Sequence, residues 1–148
     1  MRSLPAYHFD NAWLAFDGVK DGNYYHSTVS CNTDVWLQYT FASSTSLVGY
    51  SLTSREQSCC AAADTPSGWN FQGSHDGSSW TTLHQVSGAP QFGASETRRY
   101  GLVDCALGAS CTYMHYRVYF PANQLRHRDG GCQAVISEIE FFGPAPAL

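Results

Sequence analysis

An all-β domain, a sandwich or a barrel with little or no helix, is the fold this sequence predicts, and three observations predict it. Several short segments alternate apolar and polar side chains with a period of two. Clusters of turn-forming residues separate them, and no stretch of a dozen residues holds a 3.6-residue apolar period. The chain has 148 residues, about one domain, and a domain of that size buries roughly 68 to 70% of the surface its unfolded chain exposes, enough for one core. Charged residues are 14% and aromatics 14%, against about 25% charged in an average soluble domain. That is the composition of a β-rich extracellular module.

Taken in order, residues 14 to 31, LAFDGVKDGNYYHSTVSC, are rich in Asp, Gly and Ser and too irregular for a strand. Residues 35 to 41 set Val35, Leu37, Tyr39 and Phe41 against Trp36, Gln38 and Thr40, a half-buried strand; 47 to 53 and 113 to 120 read alike. Between 64 and 80 a proline turn feeds the strand Trp69 to Phe71, and His75-Asp76-Gly77-Ser78 turns the chain again before Trp80, which predicts a hairpin. Trp36, Trp69 and Trp80 fall on these strands and are expected in the core, Trp13 is open between core and ligand platform, and His75 receives no role. A helical turn or two fits near Ala122 to Arg126. In the last strand, 134 to 142, Ile136, Glu138, Glu140 and Phe142 share one parity and Val135, Ile139 and Phe141 the other. Further turn signals fall at Ser43 to Ser46, Ser87 to Pro90 and Asp129 to Gly131. Residues 1–143 are expected to form one domain, and 144–148, PAPAL, a tail or linker stub.

Charge and motifs narrow the function classes. The net charge is -4, and the eight Lys and Arg are scattered apart from Arg98-Arg99 and Arg126 to Arg128, so the concentrated basic face of a nucleic-acid binder is missing. No run of about 18 apolar residues could span a bilayer, and MRSLPAYHFDNAW lacks the apolar stretch of a signal peptide, so if the protein is secreted the expectation is a mature form or an excised domain with an added Met. Nucleophile-elbow, zinc-protease and phosphate-loop patterns are all missing, so an enzyme is not expected. Six cysteines in so short a chain favour an oxidising, extracellular compartment, and none is spaced for zinc. Their pairing is not fixed by sequence. Adjacent Cys59-Cys60 and the Cys105-x5-Cys111 spacing are suggestive, which leaves Cys31 and Cys132 for each other.

The turn, the Trp69-x-Phe71 strand, Gly73-Ser74-x-Asp76-Gly77 and Trp80 together resemble the discoidin or coagulation-factor C-type superfamily, which includes family 32 carbohydrate-binding modules and the F-type lectins (fucolectins). The resemblance implies a jelly-roll β-sandwich of the galactose-binding-domain type whose work is binding. In F-type lectins a loop beginning Ala-x-Asp-Gly and closing with Ser-Cys wraps a structural calcium, completed by a Glu on the last strand. Carried over, the ligands would be the carbonyls of Leu14 and Val19, the Asp17 carboxylate, Ser30 (or Ser27, because the loop is longer here), the Ser137 carbonyl and the Glu138 carboxylate. Hard oxygens from a loop are what Ca2+ takes. Taken singly, Asp17-Gly18 reads as an ordinary turn and Glu138 as a solvent-facing strand residue.

The same resemblance places a sugar beside an Arg and a vicinal disulfide, here Arg55 and Cys59-Cys60. Adjacent Cα atoms are about 3.8 Å apart and disulfides prefer roughly 4.4 to 6.8 Å, so such a bridge would be strained and would present a flat, rigid apolar patch. The lectin pattern departs at Gln57, where it has Asp, among Ala61 to Ala63, where it has a second basic residue, and at Thr33, where it has His. A sugar-binding set remains: Arg55 to donate to hydroxyls, Glu56 to accept, and His26, Tyr24 or Tyr25 to add a donor and an apolar face. The loop 121 to 133 can bring Arg126, His127 or Arg128 to the same rim. The expected function is a secreted, non-catalytic lectin-like domain, calcium-stabilised, binding glycans or glycoconjugates within a larger chain or a multivalent oligomer. The alternative is an adhesion domain for a protein partner or phospholipid headgroups. As a rim residue, Arg55 is expected to be replaceable by Ala with loss of glycan binding and little change in melting temperature.

Overall fold

The computed structural model describes residues 2–4, 12–20, 24–56, 64–102, 111–128 and 131–144, with backbone alone at 2–4, 28 and 128. The strands β1 (Arg2–Leu4), β3 (Val35–Ser46), β8 (Thr112–Phe120), β5 (Trp69–Ser74) and β6 (Thr81–Val86) form a five-stranded sheet in the order β1-β3-β8-β5-β6. Two three-stranded sheets follow the orders β2-β10-β9 and β11-β4-β7, from β2 (Tyr25–Val29), β4 (Gly49–Thr53), β7 (Thr97–Gly101), β9 (Arg126–Arg128), β10 (Gly131–Ile136) and β11 (Glu138–Phe142). All these pairings are antiparallel. The all-β sandwich expected from the alternation is thus the architecture observed. The described residues include two 3-10 turns, Ala12–Phe16 and Ala122–Gln124, the second where a helical turn was expected, and one α-helical residue, Asp64.

The core lies between the sheets. Leu37 of β3, Phe71 of β5 and Tyr116 and Val118 of β8 meet Tyr50 and Leu52 of β4 and Ile139 of β11, all buried. Tyr50 stacks flat on Phe71, ring centroids 4.1 Å apart. Trp69 is in this core as expected, and its indole N–H donates to the Tyr50 hydroxyl at 2.8 Å. The Tyr50 hydroxyl in turn meets His84 Nδ1 at 2.7 Å, where desolvation holds the imidazole below its ordinary pKa and so keeps an acceptor available. Tyr50→Phe would leave the buried Trp69 N–H unsatisfied and take a partner from the half-buried His84, and a loss of about 1 to 3 kcal/mol in urea unfolding is expected. An unchanged midpoint would remove this relay from the account of stability.

Four expectations are corrected. Trp36 and Trp80 are half-exposed on the outward face of the five-stranded sheet, because the parity that buries Val35 and Leu37 turns Trp36 outward. Ser43 to Ser46 lie inside β3, where a register shift between Thr40 and Thr45 against β8 absorbs them instead of a turn. Part of the supposedly irregular 14 to 31 segment is strand β2, with Tyr25, Ser27 and Val29 buried, its period-2 pattern hidden by an inward serine. The strand expected over 134 to 142 breaks at Ser137, and that single residue changes the parity, so Ile136 and Ile139 both reach the core.

The turn between β5 and β6 is built as its sequence predicts. Asp76 Oδ1 accepts the backbone N–H of Ser79 at 2.9 Å and of Ser78 at 2.8 Å, which holds its pKa down to about 2. Gly77 takes φ +76° there, a left-handed conformation that a side chain resists. Cys31 and Cys132 are disulfide-bonded, with Cα atoms 4.9 Å apart, at the end of β2 and the start of β10. Cys111 is also disulfide-bonded. Cys59, Cys60 and Cys105 lie outside the described residues.

Candidate functional site

Where β4 ends, its backbone is pinned on both sides. Thr53 pairs with Glu138 of β11 and with Thr97 of β7. Ser54 donates its hydroxyl to Gly93 O at 2.6 Å and accepts the Glu96 N–H at 3.0 Å, and the Arg55 carbonyl accepts from Ser95 N at 3.0 Å. Arg55 therefore leaves the sheet in a fixed direction. Its Nη1 donates to Asp64 Oδ2 at 2.9 Å, and its guanidinium carbon lies 5.0 Å from the centre of the Tyr24 ring. The pair is buried: Arg55 is 8% exposed and Asp64 0%. Glu56, the next residue, is exposed.

A second feature lies beside it. The 3-10 turn Ala12–Phe16 delivers Asp17, and Gly18, at φ +78°, turns its N–H to Glu138 Oε2 at 3.1 Å. Asp17 Oδ1 accepts the Val19 N–H at 2.9 Å, and Ser137 Oγ donates to Lys20 O at 2.7 Å, tying this loop to the β10–β11 junction. Glu138 is 2% exposed. Burial, then a hydrogen bond and like charge from Asp17, push its carboxyl up to about 8, against the lowering effect of the Gly18 N–H. Two acids thus converge in a desolvated place, while Lys20, the neighbouring cation, pairs outward with Glu140 at 2.8 Å. Such a donor set fits a hard divalent cation.

Asp17, Val19, Ser137 and Glu138 lie together in the structure, with Leu14 one turn earlier. Ser30 is not. Its hydroxyl meets Asn32 Oδ1 and Thr33 Oγ1, at 2.8 and 2.7 Å. The five residues of β2 (Tyr25–Val29) intervene, about 17 Å of strand. Ser27, the other candidate hydroxyl, points to Ala134 O from inside the small sheet.

The proposed sugar residues divide similarly. Arg55, Glu56 and Tyr24 share one end of the sandwich. His26 lies mid-strand in β2 opposite Val135, on the face where Arg126 pairs with Gln133, and Arg126 Nε donates to Thr65 O, next to Asp64. Thr33 sits at the far end of β2 with Ser30, beside the Cys31–Cys132 bond and His127, whose Nδ1 is 3.4 Å from Cys31 Sγ. Cys59 and Cys60 fall outside the described residues, as does the Arg128 side chain. Asp64 was read as a turn former; nothing in its local sequence marks it as the partner of an arginine nine positions earlier.

Comparison with known proteins is informative at the level of fold and family. No curated protein matches the sequence. Among solved structures, CBM32-3 from a family 31 glycoside hydrolase of Clostridium perfringens is similar with a TM-score of 0.71 at 14% identity, covering 97% of this chain and 89% of that one. CpGH89CBM32-5 from Clostridium perfringens, in complex with GalNAc-β-1,3-galactose, gives 0.63 at 14% identity, covering 88% and 81%. The CBM32 of AlyQ, in complex with 4,5-unsaturated mannuronic acid, gives 0.65 at 12%, covering 96% and 94%. At such identities the likeness is one of fold. The family profile of the F5/8 type C domain matches residues 4–102, from β1 through β7, and the chain accordingly belongs to the F5/8 type C domain family.

Proposed function

We propose that this is a non-catalytic carbohydrate-binding domain that takes glycans at the Arg55 end of the sandwich, with a structural Ca2+ beside it. One observation carries the reading: the buried Arg55–Asp64 pair fixes the end of β4 against the Tyr24 ring, so an aromatic ring and the exposed Glu56 stand together at one end of the sandwich. Sugars are bound by such sets, in which charged groups exchange hydrogen bonds with hydroxyls and a ring covers the C–H side of a pyranose. The neighbours solved with a GalNAc-galactose disaccharide and an unsaturated mannuronic acid support it, being carbohydrate-binding modules of the same fold. One neighbour comes from a glycoside hydrolase, which supports a place in a multidomain chain. The disulfide between Cys31 and Cys132 suits an extracellular setting.

Asp17 and Glu138 would hold the calcium, with the carbonyls of Leu14, Val19 and Ser137 completing an oxygen shell. The ion would supply charge to the paired acids and fasten the 14–20 loop to β11, nothing more. A second reading, a phospholipid or protein surface, has one observation in its favour: Trp13 and Val19, 53% and 40% exposed, flank the same loop.

The test is a glycan array with the domain displayed multivalently, in calcium and in chelator, since weak single sites depend on avidity. Selective binding to a sugar class is expected, weakened about tenfold by Glu56→Ala. Chelation should lower Tm by several degrees, because ion at a hundredfold excess over Kd stabilises the native state by about 2.7 kcal/mol. A blank array for folded, calcium-loaded protein, with binding to phosphatidylserine vesicles abolished by Trp13→Ala, would move the assignment to a membrane surface.

A further inference from the structure

The outward face of the five-stranded sheet carries a cluster that no part of the loop-end reading uses. Trp36 of β3 stacks beside Tyr119 of β8, centroids 5.9 Å apart and planes 21° apart. Arg117, two residues before Tyr119 on β8, has its guanidinium carbon 4.0 Å from the centre of Trp80, 4.9 Å from Tyr119 and 5.4 Å from Trp36. Its Nε donates to Gln72 Oε1 at 2.7 Å, and Gln72 Nε2 donates to Thr82 Oγ1 at 3.1 Å. The β3–β8–β5 register sets Gln38 and Gln72 on either side of Arg117, with Asn70 across from Tyr119 and Thr40 across from His115.

Two properties of this face go together. Large aromatic rings stand half-exposed on a sheet, where burial in the core was the expectation for Trp36 and Trp80. At their centre is a cation with no carboxylate partner among the described residues: the ion pairs there join Lys20 to Glu140, Arg55 to Asp64, and Arg98 to Glu96. Asp34, at the edge of the cluster, is committed to the Tyr119 hydroxyl and the Ala122 N–H. Burial against the rings lowers the Arg117 pKa from its ordinary value, as expected of a cation desolvated without a counter-charge. With Nε occupied, neither terminal nitrogen has a protein acceptor among the described residues, and the two form the planar fork that matches a carboxylate or a sulfate.

We propose that this face is a second glycan platform, selective for acidic sugars, in which the Arg117 fork grips a carboxylate or sulfate group while Trp36 and Trp80 receive the apolar faces of adjacent pyranose rings. The side chains of Asn70, across from Tyr119, and of exposed Thr82 would supply partners for ring hydroxyls. The site is distinct from the Arg55 end and stands or falls separately from it.

The experiment is titration with oligogalacturonate, with its methyl ester, which keeps the rings and removes the charge, and with a sulfated galactan oligosaccharide. It is run in a Glu56→Ala background, so that the loop end does not answer for the sheet. Binding of oligogalacturonate or of the sulfated oligosaccharide is expected, with the two arms telling a carboxylate from a sulfate. The ester should bind about tenfold more weakly than the acid, and Arg117→Gln and Trp80→Ala should each weaken acidic binding about tenfold. Thr82→Glu, at an exposed position that leaves the ring stack intact, should also weaken it, by repulsion, and gives a reading even if an Arg117 variant folds poorly. Equal affinity for acid and ester, indifference to Thr82→Glu and Trp80→Ala, or no binding of either acidic probe would overturn the proposal.

Discussion

Arg55→Ala is expected to lower the free energy of unfolding by about 3 to 5 kcal/mol at neutral pH, one of the two largest single effects in this protein. The reason is its partner. Asp64 is fully buried, and its Oδ2 sits 2.9 Å from Arg55 Nη1. Truncating the arginine takes a counter-charge at 2.9 Å away from a desolvated carboxylate, and breaking one side of a buried pair costs far more than the intact pair contributes. Urea unfolding of Arg55→Ala and of Arg55→Ala with Asp64→Asn checks this. The double variant should recover much of the loss, since it removes the stranded charge together with the cation. A loss under about 1 kcal/mol for the single variant, typical of an exposed ion pair, would mean that Asp64 is solvated in the native state.

This reverses the expectation for a rim residue, which was loss of glycan binding with little change in melting temperature. It also changes how the binding site has to be tested. A failure of Arg55→Ala to bind would be confounded with a failure to fold, whereas exposed Glu56 is free of that ambiguity.

That Arg55 is legible in the sequence as the end of a strand, and its burial is not, has a physical answer. Its position after a strand of alternating residues marks the sheet's end, and that much follows from a period of two. Burial depends on what returns over it from elsewhere in the chain, and Asp64 and Tyr24 come from two separate stretches of sequence. The same distinction runs through the fold. β4, β5 and β8 announce themselves because their inward positions are apolar, whereas β2 hides because Ser27 takes an inward position. Trp36 and Trp80 were assigned to the core on size. Parity, which the alternation of Val35, Trp36 and Leu37 already contained, was the better guide for Trp36. The acids of the candidate calcium site were readable through the family's loop pattern. The separation of Ser30 from them was not, because it requires knowing that the residues between form a strand paired to β10.

Replacing Cys31 and Cys132 together by serine is expected to cost about 4 to 5 kcal/mol, from the restriction that the bond places on the unfolded chain. The two cysteines are 101 positions apart, and closing a loop of that size removes more unfolded-state entropy than a short bridge does. A fall in Tm of roughly 10 to 20 °C should follow for a domain of this size. The paired serine variant is the proper probe, because a reductant would also open the bond of Cys111. A shift of only a degree or two would mean that the β2–β10 pairing, which runs from Tyr25 to Val29, constrains the chain as well as the covalent bond does. The variant separates stability from binding too. The disulfide lies at the end of β2 remote from Tyr24, so glycan affinity measured well below Tm should be unchanged, and a loss of binding there would place the sugar beside Thr33 and His127 instead of Arg55.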